Sequence, residues 1–158
     1  MAERSLFNDR ADDRPSVAGA LLLHPDRKIL LHHRDDKPWI SNPGKWALFG
    51  GHLDPGETPR MALDRELEEE LGLRITRAEE FCVLHGKSLQ YYMYIVPIEA
   101  EVGELVLGEG QGMAYFVPED ALASLDLSPS GRAVIAMWLA YEQYLESEVD
   151  GSQIGSSI

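Results

Sequence analysis

Apolar residues in this chain fall into short runs and helical stripes, punctuated by Gly, Pro and Asp. Residues 17–23 are apolar throughout, the pattern of a strand covered on both faces. His24-Pro25-Asp26-Arg27 reads as a turn and residues 28–33 as a second strand, so the two predict a hairpin. Residues 35–45 hold Pro38, Asn42, Pro43 and Gly44 and predict a loop. Loops of that length in compact domains are often functional. Residues 46–49 predict a short strand running into Gly50-Gly51. Thr58-Pro59 then opens a helix, with Thr as N-cap and Pro at the first helical position. Leu63, Leu67 and Leu71 form its apolar stripe, and Gly72 is placed to end it. Residues 79–86, 89–100 and 113–117 read as strands, 118–125 as a short helix and 129–148 as a long one. In the long helix Ala133, Ala136, Met137, Ala140, Tyr141 and Tyr144 recur at helical spacing. The alternation predicts an α/β or α+β sheet covered by helices. Residues 1–15 read as a loose arm, 16–149 as one domain without internal repeats, and 150–158 as a disordered Gly/Ser tail.

Composition narrows the function. The chain has 158 residues, 44% of them apolar and 26% charged, ordinary for a globular domain with one sizeable core. Its net charge of −13 argues against a nucleic-acid partner, which needs clustered Lys and Arg. A small phosphorylated ligand remains open, because a bound cation can reverse the field in an acidic pocket. The single cysteine, Cys82, excludes an intrachain disulfide and sits in an apolar stretch as an expected packing residue. No apolar run reaches the ~18 residues of a membrane span, and the first residues show no apolar signal core. These features make a cytoplasmic protein with no membrane partner the default expectation.

The candidate chemistry lies in residues 51–73, Gly-His-Leu-Asp-Pro-Gly-Glu-Thr-Pro-Arg-Met-Ala-Leu-Asp-Arg-Glu-Leu-Glu-Glu-Glu-Leu-Gly-Leu. Helical geometry puts Glu66, Glu69 and Glu70 on one face, where like charges repel by a few tenths of a kcal/mol per pair. A divalent cation with hard oxygen ligands would offset that cost. The plain alternative is a solvated acidic face, the usual meaning of Glu-Glu-Glu.

This segment resembles the Nudix box, the signature of the Nudix hydrolases, with every fixed position filled. The resemblance implies an α/β/α sandwich with a central mixed sheet. It also implies a Mg²⁺-dependent hydrolase, with Mn²⁺ as an alternative metal, that cleaves the diphosphate linkage of a nucleoside diphosphate joined to another group. Cleaving that linkage requires water to attack phosphorus while charge grows on phosphoryl oxygens, which metal ions stabilise. Glu66, Glu69 and Glu70 are then the expected metal ligands and catalytic carboxylates. A main-chain carbonyl just before the box often joins the metal shell in the family, and here it maps to Gly50. Glu57 is expected to pair with Arg65, fixing loop to helix, and to lie within reach of a metal. Arg65 reads as an orienting residue. Glu68 points about 120° away from the metal face and reads as solvent-facing. Phe49 stands where many members carry proline. A further carboxylate from outside the box often serves as ligand or base. Glu109 is preferred to Glu104 for that role, with Glu69 and Glu70 as alternative bases.

Candidates for reading the substrate are Trp39, Lys45, Phe49 and His52, all close to the box in sequence. Trp39 lies in the polar loop and is a candidate for stacking on a base. Adjacent Tyr91 and Tyr92 face opposite ways on a strand, so at most one enters a pocket. Arg34, Arg60, His85 and Lys87 are further cations for phosphate; for Lys45 and Arg60, the two near the box, solvated surface is the plainer reading. His32-His33 reads as a half-exposed pair without a third metal ligand. The resemblance favours a nucleoside triphosphate or nucleotide sugar as substrate and leaves a homodimer open. Two rivals stand beside it: a non-catalytic Nudix-fold nucleotide-binding or regulatory module, and an acidic interaction protein whose glutamates are only surface.

Overall fold

The computed structural model describes Phe7 and residues 14–155. Seven strands form one mixed sheet. They are β1 (Ser16–Leu23), β2 (Ile29–His33), β3 (Trp46–Ala47), β4 (Phe49–His52), β5 (Glu79–His85), β6 (Gln90–Pro97) and β7 (Gly112–Phe116). The order β3-β2-β1-β6-β5 carries one parallel pair, β1 with β6. Strand β4 also pairs with β1, and β7 with β2, both antiparallel.

A helix layer covers each face. Helix α1 (Pro59–Leu71) buries Leu63, Leu67 and Leu71 against Ala18, Ala20, Leu22 and Phe49. Helices α2 (Pro118–Ser124) and α3 (Pro129–Gly155) cover the other face, where Leu21, Ile29, Leu31 and Met93 meet Val134 and Ile135. Covering on both sides is why β1 is apolar at odd and even positions alike. Each fully buried leucine contributes about 1.5–3 kcal/mol. The expected hairpin forms, with Leu22 opposite Leu30 and Leu23 opposite Ile29.

Helix α1 begins and ends where its sequence requires. Thr58 Oγ1 accepts from Met61 N at 3.2 Å, and Pro59 follows it. Gly72 closes the helix in the left-handed conformation at φ 64°. Its N–H donates to Glu68 O and that of Leu73 to Leu67 O, which satisfies carbonyls left open at the helix end.

Four details differ from the sequence reading. The strand expected over 46–49 breaks at Leu48. Residues Trp46 and Ala47 pair with β2, and the chain then crosses to pair Phe49 with Ala20 and His52 with Val17 on β1. Changing partner strands mid-run leaves no signal in an apolar pattern. In α3 the buried face is Val134 and Ile135, while Ala136, Ala140, Tyr141 and Tyr144 face outward. The bulkier β-branched residues, rather than the alanines, fill the space above the sheet. Helix α3 also runs to Gly155, through residues expected as tail, and 156–158 lie outside the described residues. Cys82 is half-buried on β5, packed beside the α3-side core, and burial raises its thiol pKa.

The arm expected over 1–15 lies mostly outside the described residues. Phe7 is buried, with ring centroids 5.4 Å from Tyr92 and 5.2 Å from Tyr94. Arg14 Nη1 donates to Gly86 O at 2.6 Å. Among the described residues no helix is long and apolar enough to cross a membrane.

Candidate active site

The partner switch at Leu48 builds the floor of the site. It lays Gly50 and Gly51 alongside Gly19 and Ala18 of β1. At Gly50, φ is +149° and a Cβ would fall 2.2 Å from Ala18 O, so only glycine fits. At Gly51 a Cβ would fall 2.3 Å from the Glu66 carboxyl carbon. The glycine pair therefore lets α1 bring its acids down onto the strand.

Arg65 is the hub on one side. Its Nε and Nη2 grip Glu57 through both carboxylate oxygens, at 3.0 and 2.8 Å. Nη2 also donates to His52 O at 3.0 Å, and Nη1 to Glu66 Oε1 at 2.9 Å and Glu69 Oε2 at 3.4 Å. Asp54 Oδ2 lies 3.4 Å from Nε. Glu57 Oε1 further accepts from Asp54 N at 2.7 Å. These bonds, that from Arg65 foremost, hold the Glu57 carboxyl below its ordinary pKa. The same carboxylates raise that of Arg65. Every edge of this guanidinium is engaged by protein, so its work is to orient the loop before α1 against the helix.

Glu70 faces the opposite condition. Its Oε2 accepts from Gly50 N at 3.3 Å. Burial, and then the charges of Glu66 and Glu109, push its carboxyl up to about 8, against the opposing effects of the Gly50 N–H and Arg34. Glu69 is exposed, and Glu68 points to solvent beside Arg74 at 3.4 Å.

Glu109 reaches this cluster because its loop is tied down on two sides. Gly108 N donates to Glu70 O at 2.7 Å and Val106 N to Leu71 O at 3.3 Å. Gln111 N donates to His33 O, and Gln111 Nε2 to Arg34 O, both at 2.8 Å. Glu109 itself is exposed and has no hydrogen-bond or ion-pair partner among the described residues. Glu104 instead caps its own short 3₁₀ turn, accepting from Glu101 N at 3.2 Å.

Two hollows open here, one bordered by Gly50 and Gly51 and the other by Glu109, and Arg34 lines both. The smaller, about 140 Å³, lies between β1, β4 and β6 and the start of α3, with Gly19, His52, Tyr91, Met93 and Ser130 among its walls. The larger, about 400 Å³, lies between residues 34–40 and the Glu109 loop. Arg34 Nε donates to Ser41 O at 2.8 Å, and its guanidinium has no carboxylate partner among the described residues.

The other candidates divide. His52 borders the smaller hollow and gives its carbonyl to Arg65. Phe49 borders it too, but its ring is 1% exposed and stacked on His32 with centroids 4.6 Å apart. Trp39 is 78% exposed at the larger hollow. Lys45 lines neither hollow and pairs with Asp126 at 3.0 Å. Arg60 pairs with Asp64 at 3.0 Å. Tyr91 and Tyr92 point to opposite faces, Tyr91 into the smaller hollow and Tyr92 into the core. His32 is buried, its Nε2 3.3 Å from Leu48 O, and burial lowers its pKa to about 4.

Sequence reasoning named Arg34 only as one of several cations for phosphate, and it missed Ser130 and Gln111. Ser128-Pro129 was a legible helix start, and Gly131 N does donate to Ser128 Oγ at 3.2 Å. Nothing in the sequence places Gln111 against Arg34, since 77 residues separate them.

The donors fit a hard divalent cation in kind. All are carboxylates, and burial with the charges of Glu66 and Glu109 raises the pKa of Glu70 by more than the Gly50 N–H and Arg34 lower it. Among the described residues no three acidic, His or Cys side chains already converge as a cage. Glu66 and Glu69 turn toward Arg65 instead.

Comparison with known proteins gives the family. The sequence model of the NUDIX domain matches residues 13–140. A CTP pyrophosphohydrolase of Escherichia coli K12 is 32% identical over 126 residues, 77% of this chain and 89% of the relative. A nucleoside triphosphatase NudI of Salmonella newport is 33% identical over 109 residues, 60% of this chain and 77% of the relative. The MutT NUDIX hydrolase of Burkholderia pseudomallei superposes with a TM-score of 0.66 at 26% identity, over 79% of this chain and 98% of that one. The E. coli ORF135 protein does so at 0.65 and 28%, over 81% and 90%. The chain belongs to the NUDIX family. It is a hydrolase of phosphoric anhydride bonds, in a family that works with a divalent metal.

Proposed function

We propose that this protein is a Mg²⁺-dependent pyrophosphohydrolase of nucleoside triphosphates, releasing a nucleoside monophosphate and pyrophosphate. The observation that carries the reading is the raised pKa of Glu70 among the acids, beside Arg34, which lines both hollows and has no carboxylate ion-pair partner among the described residues. The names of the relatives, a CTP pyrophosphohydrolase and a nucleoside triphosphatase, support the triphosphate over other linkages.

Glu66, Glu69 and Glu70, with the Gly50 carbonyl, would hold the cation, while Glu57 and Arg65 keep them in place. When bound, Mg²⁺ polarises the phosphoryl oxygens and lowers the pKa of water. Arg34 neutralises the phosphate chain where it passes between the hollows. The smaller hollow, walled by Tyr91 and Met93, receives the base. Glu109, exposed and without a partner, accepts the proton of the attacking water.

A panel of nucleoside triphosphates, nucleotide sugars and dinucleoside polyphosphates with Mg²⁺ tests the reading. Triphosphates giving monophosphate plus pyrophosphate are expected. Release of phosphate alone, or turnover confined to sugars, would overturn it. Glu69→Gln should cut turnover at least ~100-fold with the fold intact, because it removes one metal charge.

A further inference from the structure

The guanidinium of Arg34 is aimed by the loop that follows it. Its Nε donates to Ser41 O, seven residues further on, at 2.8 Å. The place of Ser41 is set in turn at the neck of that loop. Arg34 N donates to Lys45 O at 2.9 Å and Gly44 N to Asp35 O at 3.0 Å, which draws the two ends together. Gly44 turns there at φ +69°, a conformation open to glycine without steric cost. A side chain then ties the neck to the sheet. His33, half-buried as the last residue of β2, donates from Nε2 to Gly44 O at 2.9 Å. Its ring lies flat on Trp46, with centroids 4.8 Å apart and planes 9° from parallel. Its backbone is paired on both edges, opposite Trp46 on β3 and Gly112 on β7. Strand pairing and stacking together fix the direction in which the imidazole N–H points.

Resting on the reading of Arg34 as the residue that neutralises the phosphate chain, we infer that His33 is the positioning residue for its guanidinium. His33 lines neither hollow and acts at a distance, through Gly44 O, the closed neck and Ser41 O. Without its N–H the ends of the loop still bond to each other, but the neck loses its tie to the stacked ring. Ser41 O then shifts, and the guanidinium bonded to it shifts as well. Arginine recognises phosphate through a planar fork of donors, so its direction matters as much as its charge. Gln111 does not replace this tie, because it holds the Arg34 carbonyl and leaves the side chain to the loop.

Two variants separate the donor from the ring. His33→Phe keeps a ring against Trp46 and removes the N–H. His33→Gln removes the ring and returns an amide N–H in place of Nε2. Hydrolysis of nucleoside triphosphates with Mg²⁺ is measured for both, with the melting temperature as the check on folding. Arg34 binds the substrate and the transition state alike, so the effect falls on KM. His33→Phe is expected to raise KM about tenfold, the scale of one hydrogen bond, with kcat little changed. His33→Gln should bring KM back to within about threefold of the wild type. In an Arg34→Ala background, His33→Phe should change KM by less than about twofold, because the group it positions is gone. A wild-type KM in His33→Phe overturns the assignment. So does a loss that follows the ring, as large in His33→Gln as in His33→Phe, or one that persists in full without Arg34.

A readout that needs no turnover keeps this inference apart from the reading beneath it. Exchange of the Arg34 Nε proton with water, followed by NMR, should be about tenfold faster in His33→Phe and close to wild type in His33→Gln. That pattern in a protein that hydrolyses no triphosphate defeats the function and leaves the positioning role. Triphosphate hydrolysis with an exchange rate indifferent to His33 does the reverse.

Discussion

The two ends of the acidic face of α1 are built on opposite principles. At the Arg65 end, Glu57 is held through both oxygens and Glu66 by one, on a guanidinium with no free edge. At the Glu70 end, burial and the charges of Glu66 and Glu109 oppose the ionisation of Glu70, and only the Gly50 N–H and Arg34 act against them. The first end is electrostatically complete within the protein and has the properties of scaffold. The second is left in deficit, and strongly perturbed carboxyls in clefts gather at functional sites. Residue type does not separate the two, since both ends are built from glutamates. Partners separate them.

Glu70→Gln attacks the deficit directly and should have the largest effect. Turnover is expected to fall at least ~1,000-fold, because on the proposed reading a metal ligand and its charge are lost together. The metal-free protein should respond in the opposite sense. The folded pKa of Glu70, about 8, lies above its ordinary 4.5, so the folded state holds the proton more tightly. Stability from this group is full below pH 4.5 and is lost as pH rises toward 8. His32 works from the other side. Its folded pKa of about 4 lies below 6.5, so its contribution is full above 6.5 and lost as pH falls toward 4. The metal-free wild type should therefore be most stable between these limbs. Glu70→Gln should flatten the alkaline limb alone, raising stability near pH 8 by on the order of 2 kcal/mol once solvent screening is discounted. Melting curves across pH, without and with Mg²⁺, check both halves. In the wild type, metal at 100 times its dissociation constant should add about 2.7 kcal/mol, and the variant should lose that gain. A variant that melts as the wild type does at pH 8 would mean the two ends are alike.

How much of this was legible in the sequence follows the same division. Local order was readable wherever it depends on neighbours along the chain. Thr58 and Gly72 delimit α1, three leucines mark its inner face, and the Glu57–Arg65 pair follows from box spacing. Long-range placement was not. The change of partner at Leu48, the burial of His32 on Phe49 and the stapling of the Glu109 loop to β2 each join residues remote in sequence. The preference for Glu109 over Glu104 rested on loop composition. In the structure Glu104 is occupied by its own turn, while Glu109 lies close enough to shift Glu70.

Arg65→Lys probes the complete end and should have an intermediate effect. Lysine keeps the charge and loses the fork that engages Glu57, Glu66 and the His52 carbonyl together. The acids would be present but less well fixed, so kcat should drop about 10- to 100-fold with little change in KM. Metal-dependent stabilisation should persist, in contrast to Glu70→Gln. If Arg65→Lys abolished the metal shift as well, the Arg65 end would belong to the metal site itself and the division drawn above would fail.

Gln111→Ala gives the smallest and most discriminating change, because it touches neither end directly. Its side-chain amide holds Arg34 O, and its own N–H holds His33 O, so the variant keeps one of two ties between β2 and the Glu109 loop. The lost hydrogen bond is worth about 1 kcal/mol and is exposed, so the melting temperature should move by only a few degrees. Activity should fall roughly threefold to tenfold, since Glu109 and Arg34 would both be less well placed. The pattern separates this residue from plain loop structure. Loosening Glu109 weakens the charge that raises Glu70, so in the metal-free protein the alkaline limb should shift toward lower pH along with the modest fall in rate. A rate loss with an unmoved alkaline limb would place the effect of Gln111 on Arg34 alone. It would then assign the deficit at Glu70 to burial and Glu66.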